Sequence, residues 1–100
     1  MSTPATLVLP TIQGLAERLG AVLLEQKLMI GTAESCTGGL LAGAITAVAG
    51  SSDWFERGYV TYSNEAKSQE LDVSEDVLSH YGAVSEPVAL EMAGGVLLAV

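Results

Sequence analysis

The stretch Leu28 to Gly39 constrains this chain more than any other. Leu28 to Ala33 is a short apolar run without helical spacing, and it passes through Glu34 into the small and polar Ser35-Cys36-Thr37-Gly38-Gly39. Directly afterwards Leu40, Leu41, Ala44, Ile45 and Val48 recur at helical steps, and Gly50 stands where helices commonly terminate. The pattern predicts a buried parallel strand ending at Glu34, a tight turn, and a helix from Gly38 to Ala49. A strand of that kind belongs in an α/β fold whose helices cover the sheet.

The rest of the chain fits the same class. Ile12, Leu15, Ala16, Leu19, Val22 and Leu23 repeat at steps of three and four after Pro10, which predicts an amphipathic helix from about Thr11 to Gln26. After the link Ser51 to Glu56, the β-branched and aromatic Tyr59-Val60-Thr61-Tyr62 reads as a second strand, with Asn64 placed to cap the next helix. Val73 to Tyr81 reads as a short helix stopped by Gly82, and Ser85-Glu86-Pro87 opens another over Val88, Leu90, Met92, Val96 and Leu97. The expectation is two strands and four or five helices in one domain spanning residues 1–100. Two strands alone make a poor sheet, since independent stability usually needs three or more.

Charge limits the partners. Four basic residues stand against twelve acidic ones, for a formal charge of -8. Such a surface repels nucleic-acid phosphates and anionic membranes. Met1-Ser2-Thr3-Pro4 has no basic flank ahead of an apolar core, and no apolar run approaches the ~20 residues that span a bilayer, so a cytoplasmic protein is expected. Cys36 is the single cysteine, which excludes an intrachain disulfide and a cysteine metal cage. Asp53, Glu56, Glu65 and Glu70 are too scattered for a metal site, and no cofactor is expected.

A side chain at the carboxyl end of a buried parallel strand faces the crevice where α/β proteins bind ligands, and Ser35 occupies that place. Backbone amides around Thr37, Gly38 and Gly39 are expected to point outward at the helix start, able to stabilise an oxyanion or hold a phosphate. A serine nucleophile needs a base, and the choice lies between His80 and one of four cations. Lys67 is the better candidate, one short turn past the second strand, because a lysine taken out of water can act as a neutral base.

Bland alternatives stand beside each of these. Ser35 and Thr37 could simply cap a helix, Lys67 could be a solvated helix lysine, and Glu34 could equally orient a site residue or cap locally. Cys36 paired with His80 is a rival nucleophile, but residues 35 and 36 cannot both aim into one crevice from a tight turn, so a buried structural cysteine is expected. His80, among Glu75, Asp76 and Ser79, reads as a solvated helix end. Trp54 and Phe55 read as packing anchors.

Three segments in order, AESCTGG at Ala33 to Gly39, AGSSDWFERGYVTYSNEAK at Ala49 to Lys67, and GAVSEPVALEMA at Gly82 to Ala93, resemble the CinA carboxyl-terminal domain family. The resemblance spans roughly residues 11 to 97. It implies a three-layer α/β/α sandwich with a small mixed or parallel sheet, and an amidase that converts nicotinamide mononucleotide to nicotinic acid mononucleotide and ammonia. It implies a Ser-Lys mechanism with Ser35 as nucleophile and Lys67 as base. Candidate substrate contacts are then Glu34, Thr37, Gly38, Gly39, Arg57, Tyr62 and Asn64, with Arg57 or backbone amides left to hold the phosphate. Members of the family continue past the helix of Glu91 and Met92 into another strand, a glycine-rich loop and a further hairpin and helix. Partners expected are a small nucleotide substrate and further copies in a homo-oligomer, with neither nucleic acid nor membrane.

Overall fold

A computed structural model describes residues 11–99; the expectation drawn from Met1 to Pro4 and the junction at Pro10 fall outside them. Thr11 caps the first helix, its hydroxyl accepting from the Gly14 amide at 2.9 Å, and helix α1 runs Ile12–Gln26. It stops at Lys27, which takes a left-handed conformation (φ 57°). Strand β1 (Ile30–Glu34), helix α2 (Leu40–Thr46), strand β2 (Phe55–Val60) and helices α3 (Asn64–Leu71), α4 (Glu75–Tyr81) and α5 (Glu86–Ala99) follow, with a short 3-10 turn at Ser51–Asp53.

The two strands pair in parallel from Ile30 opposite Phe55 to Glu34 opposite Val60, with one irregularity between Ile30 and Gly31. Alternation along β1 then decides which layer each residue meets. The Cβ position of Gly31 points at Val96 of α5, and Ala33 packs on the core built under that helix. On the other face Thr32 meets Gly58 of β2, which in turn abuts Ala42 of α2. Helices therefore cover both faces, the α/β layering expected from the sequence. The core lies on the α5 side, where Leu71, Val73, Leu78, Val88, Met92 and Val96 form one cluster. Glu91 ties α5 to the start of α4 by accepting from the Ser74 amide at 2.8 Å. Trp54, 2% exposed, lies over Gly20 of α1, which makes it the packing anchor expected of it.

Three boundaries differ from the sequence reading. Strand β2 begins at Phe55 and ends at Val60, instead of occupying Tyr59 to Tyr62. Its register is pinned early by the Ile30 amide bonding the Trp54 carbonyl at 2.7 Å, and its Glu56, Arg57 and Gly58 are exposed, so no apolar alternation announces it. Helix α2 starts at Leu40, because Gly38 (φ 59°) and Gly39 (φ 108°) lie in the left-handed region that ends, rather than continues, a right-handed helix. Helix α3 is capped by Ser63, whose hydroxyl accepts from the Ala66 amide at 3.0 Å, so Asn64 is its first helical residue.

Candidate functional site

Ser35 immediately follows β1, and by alternation it takes the same face as Gly31 and Ala33, toward α5. Lys67, in the middle of α3, reaches across to it. The Lys67 side chain is only 1% exposed, and its Nζ donates to Ser35 Oγ at 3.2 Å and to the Tyr62 carbonyl at 2.9 Å. Ser35 Oγ also lies 3.4 Å from that carbonyl. A hydroxyl, a buried amine and an acceptor that orients the amine thus converge, within the reach that a nucleophile and its base would need. The Tyr62 carbonyl carries no signal in the sequence, since any residue supplies one.

The pair borders a cavity of about 770 Å³. Ala33 and the β1 edge form one wall; Ala89, Met92 and Val96 of α5 form the other, with Tyr62 at the rim. Tyr62 is 72% exposed, so its ring is open to solvent or ligand. The α5 contribution was invisible to motif reading, because apolar residues on a helix read equally well as core.

Glu34 points the other way, and its role is local. Its carboxylate, 5% exposed, accepts from Thr37 Oγ1 at 2.6 Å, the Leu41 amide at 3.0 Å and the Ala42 amide at 3.0 Å. It is the negative group at the start of α2. Burial pushes this carboxyl up, but the bonds from Thr37 and the Ala42, Leu41 and Gly39 amides outweigh it and hold the pKa below the ordinary carboxylate range. A depressed carboxyl adds stability above its unfolded pKa, and that stability is lost as pH falls through the lower folded value. Urea midpoints measured from about pH 6 to pH 3 are therefore expected to fall less steeply in Glu34→Gln than in the wild type; equal slopes would refute a stabilising charge on Glu34.

The remaining candidates separate into those at the cavity and those elsewhere. Thr37 is spent on Glu34. The Gly38 amide bonds the Ser35 carbonyl at 3.0 Å and that of Gly39 is turned to Glu34, so neither glycine offers the outward amide expected of it. Among the described residues the amides of Cys36 and Thr37 have no partner. Arg57 lies outside the cavity: its guanidinium pairs with Glu56 and donates to the Ala99 carbonyl at 3.0 Å, and the Glu56 bond raises its pKa further above the ordinary arginine value. Asn64 is exposed and faces a shallow depression with Glu65, Ser68 and Gln69 on the far side of α3. Cys36 is exposed rather than buried and lines the cavity beside Ser35. His80 stacks edge-on against Tyr81 at the exposed end of α4, away from Ser35. Among the described residues no cluster of His, Cys, Asp and Glu could hold a metal, and no helix is long and apolar enough to cross a membrane.

Known proteins share this arrangement of elements. The chain is 58% identical over 85 residues to nicotinamide-nucleotide amidohydrolase PncC of Escherichia coli K12, covering 85% of this chain and 52% of that protein. It is 59% identical over 83 residues to the protein of the same name from Enterobacter agglomerans, covering 83% and 51%. The chain thus spans about half the length of the curated relatives it matches. Among solved structures, a competence-damaged protein (CinA) superfamily protein from Escherichia coli superposes with a TM-score of 0.89 at 39% identity, over 100% of this chain and 56% of that one. The competence/damage inducible protein CihA from Agrobacterium tumefaciens superposes at 0.86 with 47% identity, over 93% and 58%. The family model for the CinA C-terminal domain matches residues 12–100, and with these identities the chain belongs to that family.

Proposed function

We propose that these residues form the nucleophile-bearing portion of an amidohydrolase domain that removes the carboxamide of nicotinamide mononucleotide. The observation that carries this reading is the buried Lys67 Nζ at 3.2 Å from Ser35 Oγ. Ser35 Oγ attacks the carboxamide carbonyl while Lys67 Nζ takes its proton. The tetrahedral oxyanion is held by the unpartnered amides of Cys36 and Thr37, and the Tyr62 carbonyl keeps the lysine in line. Lys67 returns the proton to the departing ammonia, leaving an acyl-enzyme ester. Water, deprotonated by the same amine, releases nicotinic acid mononucleotide and frees Ser35. The names of the relatives support the substrate. The cytoplasm and a symmetric homo-oligomer are the setting we assign to it.

Ammonia release from nicotinamide mononucleotide by the wild type and by Ser35→Ala tests this directly. Loss of about 10³-fold or more in the variant is expected, and equal rates would remove Ser35 from the mechanism.

A second reading is favoured by one observation. The edge of β1 away from β2 has no partner among the described residues, and the cavity runs along it. A module that binds nucleotide and assembles with another polypeptide through that edge would bind without turnover. Turnover restored by adding the carboxyl-terminal half of a relative would favour it over the first.

A further inference from the structure

The four cations of the chain, the first amides of α2 and the unpartnered amides of Cys36 and Thr37 are groups able to grip a phosphate; the last two are given to the oxyanion, and most of the others already have an anion or acceptor of their own. Glu34 fills the start of α2, taking the Leu41 and Ala42 amides that would otherwise face an incoming anion. Glu56 holds Arg57, which also donates to the carbonyl of Ala99. Lys67 is buried and turned to Ser35 and the Tyr62 carbonyl. Arg18 and Lys27 are exposed on α1 and line no part of the cavity.

Among the described residues the cavity offers negative charge no cation that is not already engaged. Glu56 lines it near the Ile30 end of β1, and Ser35 lies five residues beyond Ile30, roughly 16 Å along the strand. A nucleotide whose carboxamide sits at Ser35 would project its phosphate along that trough toward a Glu56 carboxylate that already holds Arg57, or out into the field of a chain with net charge -8. The ring end is the better match. An N-substituted nicotinamide is a flat pyridinium cation, and the apolar walls at Ala33, Ala89 and Met92 suit such a flat ring, with the exposed Tyr62 at the rim able to offer it a π face.

We infer that this segment recognises the pyridinium-carboxamide head of its substrate and does not read the phosphate, so that it binds the phosphorylated nucleotide and its unphosphorylated nucleoside alike. The inference rests on the amidohydrolase reading and narrows what these residues contribute to it.

Calorimetry on the 100-residue chain with nicotinamide mononucleotide and nicotinamide riboside tests it. Dissociation constants within about threefold of one another are expected, with little change between roughly 50 and 500 mM salt. Tyr62→Ala is expected to weaken both ligands by a similar factor. A nucleotide preference above about tenfold, or binding of neither compound, overturns the inference. The two readings fail separately. Hydrolysis confined to the phosphorylated compound would sink this inference and leave the Ser35-Lys67 mechanism, whereas equal binding with no ammonia released would do the reverse.

Discussion

Lys67→Met is expected to lower ammonia release by about 10³-fold while changing KM by less than about threefold. Methionine keeps most of the length and apolar stem of the lysine but has no proton acceptor of useful strength. Ser35 Oγ would retain its contact with the Tyr62 carbonyl and lose the amine now 3.2 Å away. Because the wild-type Lys67 side chain is 1% exposed, the variant removes a costly buried polar head as well as the proposed base. The thermal midpoint is therefore expected to stay within about 5 °C of wild type or rise. A variant that lost activity only because it unfolded, or one that kept wild-type turnover, would contradict the role given to Lys67.

Gly95→Ala is expected to be the most damaging small substitution in the chain. A Cβ at Gly95 would stand 2.2 Å from the Leu71 carbonyl oxygen and 2.9 Å from its carbonyl carbon and Cα. These are backbone atoms of α3, so no side chain can swing aside, and the two helices would have to part. The cost is about 3 kcal/mol, or a fall of roughly 12–20 °C in melting temperature for a domain this size. The adjacent Gly94 supplies the control. Nothing lies within 4 Å of its Cβ position, so Gly94→Ala is expected to stabilise by about 0.5–1 kcal/mol through helix propensity alone. Thermal melts of the two variants should move in opposite directions; the same direction for both would discredit the close approach of α3 and α5. The contact matters for chemistry too. Leu71 lies one helical turn past Lys67, so the seat at Gly95 fixes how far α3 sits from Ser35.

Some of this was legible in the sequence because the signals were local. The i, i+3, i+4 repeat of α1, the unpatterned apolar run of β1 and the Ser85-Glu86-Pro87 start of α5 each depend on near neighbours, and each element stands where the pattern puts it. Strand β2 was placed too late because an edge strand exposing Glu56, Arg57 and Gly58 lacks the burial that patterns a central one. At the site, the positions of Ser35 and Lys67 could be read, while the partners of the other polar groups could not. Whether Glu34 meets a ligand or the α2 amides depends on which face of β1 it takes. Whether Arg57 meets a phosphate or Glu56 depends on which way its side chain leaves β2. Those are facts of tertiary arrangement, and residue type carries no trace of them.

Glu34 and Ser35 are consecutive in a chain that alternates its faces, so a carboxylate serves one layer and a hydroxyl the other. This makes the segment intolerant of changes in length. Loss or gain of one residue between Gly31 and Ala33, if the anchor of Ile30 on Trp54 held, would turn the carboxylate toward Lys67 and the serine toward α2. Substitutions along β1 can be absorbed one at a time, but the spacing from the anchored start of the strand to Ser35 has only odd or even as its choices, and one of the two leaves no nucleophile at the cavity.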